Sequence, residues 1–203
     1  MSSLVVAIEG PSDSGKSTLI AGLLQRFASQ EPLLFPCYVD LAGGDDAVPA
    51  YTTHPGEQLE AVDFYLDLER KRKQSLDEVD PEPSLVLLDR SLFTLLAHSY
   101  AVEVVHGRGV FEQSKARVTT AVAVIMPQLV LYLDVDPEVR QERADPQDRD
   151  KWFTNRQFNE EIRAFFDGPF RDCSKAELTV LNGTPASTAV LDQASETITG
   201  RLL

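Results

Sequence analysis

The sequence predicts an α/β fold in three layers: a five-stranded parallel sheet with helices on both faces and a small lid. Three observations predict it. Five short apolar runs are separated by stretches with helical spacing, the alternation expected of strand–helix units. The runs are continuously apolar rather than alternating, which reads as strands buried on both faces and therefore as a parallel sheet. The 203 residues, 43% of them hydrophobic and 25% charged, suffice for one domain with a sizeable core. A single domain over residues 1–203 is expected, with the lid at about 140–156.

The first run, Leu4 to Ile8, leads into Gly10-Pro11-Ser12-Asp13-Ser14-Gly15-Lys16-Ser17-Thr18. This fits G-x-x-x-x-G-K-[ST], and Leu19, Ile20, Leu23, Leu24 and Phe27 follow at helical spacing. A strand-to-helix turn of this kind is a phosphate-binding loop, which makes the expected architecture a P-loop NTPase-type sandwich. Backbone N–H groups and the helix N-terminus form a positive concavity for phosphate oxygens. Gly10, Asp13, Ser14, Gly15, Lys16, Ser17 and Thr18 are the candidate nucleotide-binding residues. Lys16 would reach the β and γ phosphates, and Ser17 would ligate Mg²⁺.

The remaining elements follow in order. Residues 33–41 predict a second strand, interrupted by Pro36, and 42–55 a Gly-, Asp-, Pro- and Thr-containing loop. Residues 57–79 predict a long helix. Ser84 to Leu88 is a strand ending in Asp89-Arg90-Ser91. Helices are expected at about 92–105 and 110–126, the second placing Val118, Val122, Ile125 and Met126 on one face. A strand at 129–135, a helix at 137–144 and a charged loop at 145–151 come next. Residues 152–166 predict a helix carrying Phe158, Ile162, Phe165 and Phe166. A strand at 178–181 and a helix at 187–202 complete the chain.

Chemistry concentrates at the strand ends. Asp89 ends a buried strand, and in a parallel sheet that end faces the ligand crevice. There it would hold Mg²⁺ through water or take a proton from an acceptor hydroxyl; the alternative is a helix cap. Arg90 would clamp a phosphate or a nucleoside. Arg140, Arg143, Arg149, Lys151 and Arg156 suit a lid closing on transferring phosphate; the alternative is a solvated loop paired with Asp145, Asp148 and Asp150. Leu181 to Thr184 is a tight turn able to offer backbone groups to a base. No Asn-Lys-x-Asp guanine signature is present, which argues against a GTPase.

The net charge of −13, from 32 acidic and 19 basic residues, makes the chain a poor partner for nucleic acid or anionic membrane. Cys37 and Cys173 lack metal-ligand spacing and read as free thiols of a reducing compartment. With no signal-peptide pattern and no run of 18 apolar residues, a cytoplasmic location is expected. His54, His98 and His106 have no metal-ligand spacing.

Together these residues resemble the thymidylate kinase family, within the wider P-loop nucleoside and nucleotide kinases. Ile8 through Thr18 looks like its opening strand and loop, and Thr52-Thr53-His54-Pro55-Gly56-Glu57 is similar to its Thr-Arg-Glu-Pro-Gly segment. Glu69-Arg70, Asp89-Arg90, Gly107-Arg108-Gly109, Leu131 to Val135 with Glu142-Arg143, and Asp148-Arg149 keep the family's order. The resemblance implies Mg²⁺-dependent transfer of the ATP γ-phosphoryl group to a nucleoside monophosphate, dTMP first. It implies catalytic roles for Lys16, Asp89, Arg143 and Arg149, with Ser17 and Asp89 on the metal and Arg70, Arg90 and Ser12 on the acceptor. Relatives use the helices after Asp89 as a homodimer face, where Val118, Val122 and Ile125 would lie, unless they are core. The departures fall in the acceptor half: Thr53 replaces the Arg that grips the monophosphate, Ser12 precedes the acid at Asp13, and Ser91 and His98-Ser99 replace the family's usual residues. A deoxynucleoside or other neutral hydroxyl acceptor, and a non-catalytic ATP-binding protein, therefore stay open.

Overall fold

The computed structural model describes residues 3–144, 155–184 and 187–202. One sheet of five parallel strands runs β2-β3-β1-β4-β5. Its strands are β1 (Leu4–Glu9), β2 (Leu33–Phe35), β3 (Leu85–Asp89), β4 (Leu129–Asp134) and β5 (Glu177–Asn182). The helices among the described residues are α1 (Lys16–Arg26), α2 (Tyr38–Ala42), α3 (Pro55–Asp77), α4 (Leu92–His106), α5 (Phe111–Thr120), α6 (Pro137–Arg143), α7 (Arg156–Asp167), α8 (Phe170–Cys173) and α9 (Ser187–Leu202). None is long and apolar enough to cross a membrane.

The apolar strands feed two cores, because successive side chains point to opposite faces. Val5, Ala7, Val86, Leu88, Val130 and Tyr132 face the larger core, under residues of α3, α4, α5, α7 and α8. Val6, Ile8, Leu85, Leu87, Leu129 and Leu131 face the other, under α1 and α9. This two-sided burial is the reason the strands read as unbroken apolar runs.

Several elements differ from expectation. The second strand ends at Phe35 instead of running to Leu41. Pro36 lacks an N–H for the ladder, and the chain turns into α2, closed by Gly43 at φ 101 with its N–H bonded to the Val39 and Asp40 carbonyls. The helix expected over 110–126 stops at Thr120. The β-branched Val122, Val124 and Ile125 and the following Pro127 disfavour its continuation. Val118 and Ile125 are buried while Val122 is 75% exposed, so these residues share no helical face. Of the lid expected at about 140–156, residues 145–154, among them Asp148, Arg149, Lys151 and Trp152, lie outside the described residues.

β1 and β4 are locked at the loop by Gly10. A Cβ there would sit 2.8 Å from the Leu133 carbonyl oxygen, and the residue's φ is 139. Gly10→Ala should therefore cost about 2–4 kcal/mol through crowding and backbone strain. Urea denaturation of the variant checks this, and a midpoint equal to wild type would contradict it.

Candidate active site

The phosphate-binding loop joins β1 to α1 at the carboxyl edge of the sheet, with Gly15 in the left-handed region at φ 93 as the N-cap of α1. Asp13 also takes a left-handed conformation, at φ 61. Lys16 is buried, and its Nζ donates to the carbonyl oxygens of Gly10 at 3.1 Å and Pro11 at 2.7 Å. Ser14 Oγ is buried without a hydrogen-bond partner. Ser17 and Thr18 are exposed on the first turn of α1. Burial lowers the Lys16 pKa to about 7; the neighbouring Arg90 adds to the shift, and Asp89, Glu9 and Asp13 oppose it.

β3 delivers Asp89 and Arg90 beside this loop, since Asp89 pairs in register with Ile8. Asp89 Oδ1 is buried without a partner. Arg90 stands at φ 67, and its Nη1 donates to the Gly10 carbonyl at 3.4 Å. The cap of α4 is Ser91, whose Oγ accepts from the Phe93 N–H, so Asp89 does not serve as one. Glu9, 1% exposed, holds the turn: its carboxylate accepts from the Ser91 N–H, the Ser91 hydroxyl and the Thr94 hydroxyl, the last at 2.5 Å. Burial pushes the Glu9 carboxyl up, while those donors and Arg90 hold it back.

Behind the turn lies a buried ion pair. Arg72 bonds Glu69 at 2.7 Å, and neither side chain is exposed. Arg72 also donates to the carbonyls of Pro36, Asp89 and Arg90. Its guanidinium lies 4.4 Å from the centre of the Tyr38 ring, and the Tyr38 hydroxyl donates to Glu69 at 2.8 Å. Desolvation raises the Glu69 pKa against the opposing pull of Arg72.

A cavity of about 720 Å³ opens beside Gly10, Pro11, Ser12 and Arg90. α3 contributes Gln58, Ala61, Val62 and Tyr65, α4 contributes His98 and Val102, and α7 contributes Phe158 and Ile162. The His98 ring contacts Phe158 with centroids 5.1 Å apart. Burial, then the charge of Arg90, lowers the His98 pKa to about 3, so its imidazole is neutral at pH 7. Among the described lining residues Arg90 is the one Lys or Arg, whereas Glu9, Asp45 and Asp46 are acidic.

The structure thus brings Gly10, Ser12, Lys16, Asp89 and Arg90 together. Arg70 is placed elsewhere, and the expectation that it faces the acceptor is corrected. Residues 58, 62, 65, 69 and 72 form the inward stripe of α3, and one residue past Glu69 turns about 100° away. Arg70 is 46% exposed and paired with Asp67. Arg143 donates instead to the carbonyls of Gly183 and Thr184, at 3.2 and 3.3 Å, bracing the turn after β5. Arg140 is the more enclosed arginine of α6: it is 7% exposed, its Nη1 is unpartnered, and its charge interacts with Asp13 and Tyr132. Thr53 does not line the cavity; Thr52 does, its hydroxyl donating to Glu57 at 2.5 Å.

Sequence reasoning gave no role to Glu9, Arg72, Tyr38 or Gln58. Two signals were present. Glu9 is the lone charge ending an apolar strand, and Arg72 falls three residues from Glu69 on the stripe that begins at Gln58.

The orphaned Ser14 Oγ and Asp89 Oδ1, the exposed Ser17 and the buried Lys16 fit a nucleotide with Mg²⁺, an ion that needs few protein ligands because it keeps waters and phosphate oxygens. Fold and site together define a P-loop kinase. The thymidylate kinase family profile matches residues 8–193. Thymidylate kinases of Bacillus cereus (strain AH187) and Bacillus anthracis are each 32% identical over 145 residues, 68% of either chain. The Candida albicans thymidylate kinase structure aligns with TM-score 0.74 at 16% identity, covering 98% of this chain and 92% of that one. The deoxyadenosine kinase of M. mycoides with bound dATP aligns with TM-score 0.70 at 13% identity, covering 96% and 99%. The chain belongs to the thymidylate kinase family.

Two outcomes follow from this geometry. Arg72→Met strands Glu69 as a buried charge and should cost about 3–5 kcal/mol; the double variant with Glu69→Leu should recover the part due to that charge but not the part due to the Pro36, Asp89 and Arg90 carbonyls that lose their donor. Urea melts of the single and double variants decide, and a single variant within about 1 kcal/mol of wild type would contradict the buried pair. The second concerns protons. Above pH 7 the ligand-free Lys16 is mostly neutral, and phosphate oxygens would restore its charge, so nucleotide binding should take up a proton. Uptake should approach about one proton near pH 8.5 and be small near pH 6, with affinity falling as pH rises. Titration calorimetry in buffers of different ionisation enthalpy reads this directly, and buffer-independent heats at the higher pH would refute it.

Proposed function

We propose that the chain transfers the γ-phosphoryl group of ATP to an acceptor held in the cavity, with dTMP the first candidate. The observation that carries this reading is the meeting of the two halves at Gly10, whose carbonyl accepts from both Lys16 of the phosphate loop and Arg90 of the cavity wall. The reaction needs mainly positioning and charge neutralisation. Lys16 and the loop amides would hold the β and γ phosphates, and Ser17 and Asp89 would hold Mg²⁺. When bound, the ion neutralises charge on the phosphate oxygens.

Arg90 and Ser12 would orient the acceptor, and Asp89 would alternatively receive a hydroxyl proton. Arg140, buried near Asp13, joins Arg149 as a source of positive charge for the transferring group, while Arg143 keeps the turn after β5 in place.

A second reading has its own support. With Arg90 the one cation among the described lining residues and Asp45 and Asp46 in the wall, a neutral hydroxyl acceptor such as a deoxynucleoside suits the cavity.

ATP consumption with dTMP and thymidine side by side separates the two. Turnover with dTMP alone supports the family reaction; turnover with thymidine supports the neutral acceptor. In either case Lys16→Ala should lower the rate by about a thousandfold or more. Retention of full rate by that variant would overturn the phosphotransfer reading itself.

A further inference from the structure

We infer that residues 45–52 form a strap across the acceptor cavity, that the strap swings open to admit the acceptor, and that the hydrogen bond between Tyr51 and His106 is its latch. Every residue of this segment except Ala47 lines the cavity, and none of them is buried. The helical walls are anchored instead: α3 presents Val62, α4 presents Leu95 and Val102, and α7 presents Phe158 and Phe166, all of them buried. A segment with no buried side chain lies at the low end of local stability, so among the described walls it opens at least cost.

The backbone agrees. Among the described residues, the backbone–backbone hydrogen bonds of the segment are those of its own turn, from the Ala47 N–H to the Gly44 carbonyl at 3.1 Å and from the Val48 N–H to the Asp45 carbonyl at 3.4 Å. Gly43 and Gly44 precede it at φ 101 and 123, and a Cβ at either would meet nothing within 4 Å. Two adjacent residues of wide conformational range, unhindered by packing, make a hinge. The Gly44 N–H bonds the Val39 carbonyl at 2.9 Å, which fixes the α2 side of that hinge. The far end is held by Thr52, which accepts from the His54 N–H at 3.0 Å and donates to Glu57 in the first turn of α3.

Between hinge and anchor, Tyr51 carries the strap across to the opposite wall. Its hydroxyl and His106 Nε2 are hydrogen-bonded at 2.8 Å, and its ring meets Phe158 edge-on with centroids 5.9 Å apart. His106 is the last residue of α4, and Phe158 lies in the first turn of α7. The route matters for a reaction of two substrates. Phosphates of a bound nucleotide would lie against Gly10 and Lys16, at the mouth beside Arg90, so an acceptor joining the loaded protein needs a second entrance. A strap that closes behind it also keeps water from the transferring group. The entrance role rests on the cavity being the acceptor site; the latch itself is testable in ligand-free protein.

The latch is broken from the side that touches no acceptor. His106 is exposed and does not line the cavity, so His106→Ala removes the hydrogen bond and leaves the wall unaltered. Tyr51→Phe removes the bond and keeps the ring, and His106→Gln, which offers a hydrogen-bonding group at similar reach, is the rescue. Opening without ligand is read by chymotrypsin cleavage after residue 51, which tracks the open population when reclosing is fast. Loss of one such hydrogen bond should raise that cleavage about three- to tenfold in His106→Ala and in Tyr51→Phe, no further in the double variant, and about twofold or less in His106→Gln. Rapid mixing with dTMP and with thymidine, beside an unreactive ATP analogue, should show acceptor association and dissociation faster by the same factor in both latch variants. Acceptor affinity should change by about twofold or less, because the free and the occupied closed states lose the same bond.

Wild-type cleavage and acceptor kinetics in His106→Ala overturn the inference while leaving the acceptor site intact. Faster cleavage throughout α3 and α4 as well marks a general loosening and overturns it too. Binding of neither acceptor by wild type removes the acceptor reading, and with it the strap's role as an entrance, whatever the cleavage rates.

Discussion

A guanidinium does not shed its charge in a protein, so burying Arg72 obliges the fold to surround it with acceptors. The acceptors are the Glu69 carboxylate and the carbonyls of Pro36, Asp89 and Arg90, with the Tyr38 ring beneath. They belong to the segments following β2 and β3 and to α3. One side chain therefore ties together the strand ends where ligands of open α/β sheets bind. The tie has a conformational consequence. Arg90 stands in the left-handed region at φ 67, which a residue with a side chain holds only where its surroundings over-determine it. Arg72 grips its carbonyl from one side, and Glu9 grips the next residue through the Ser91 N–H and hydroxyl from the other. The cavity's cation is aimed by these two buried charges.

The same economy governs the donor half. A chain of net charge −13 repels polyphosphate at long range, but that repulsion is screened beyond about 8–10 Å at moderate salt. Within the loop the low dielectric strengthens short-range interactions, and there the positive groups among the described residues include Lys16, Arg90 and the loop amides, with Arg140 near Asp13. Lys16 is held close to neutrality by its own desolvation and by Arg90. Phosphate oxygens would relieve both penalties together, so part of the site's selectivity for anions is stored as a suppressed charge.

The alternation of strands and helices and the phosphate loop were legible in the sequence because both are periodic or backbone-made. A buried strand needs only an apolar run, and G-x-x-x-x-G-K-[ST] specifies a main-chain shape. What sequence reasoning missed was made by side chains meeting across elements. Glu69-Arg70 keeps the family's order, but a dipeptide carries no helical phase; the phase of α3 points 69 and 72 inward and 70 outward. Glu142-Arg143 keeps the family's order, yet Arg143 is committed to the Gly183 and Thr184 carbonyls. The end of α5 at Thr120 was missed because Val118, Val122 and Ile125 do keep helical spacing, while Pro127 and the β-branched run outweigh it. The segment 145–154 carries expectations that the described residues do not touch.

The acceptor half is where family membership and local chemistry pull in different directions, and magnitudes help to weigh them. Asp45 and Asp46 are exposed in the short helical turn after α2. Facing water, each opposes an incoming dianion by about 1 kcal/mol or less, which tunes affinity without excluding a monophosphate. The inner balance is heavier. Taking an anion out of water costs several kcal/mol, and one charge-assisted contact with Arg90 returns about 1.5–3 kcal/mol. Arg90 alone thus leaves a buried monophosphate under-compensated, and a second cation at the reacting end is what a charged acceptor requires. A nucleoside makes no such demand, since neither its ring nor its hydroxyl brings a charge into the cavity. The choice of acceptor therefore turns on whether the arginines near the lid complete the field that Arg90 begins.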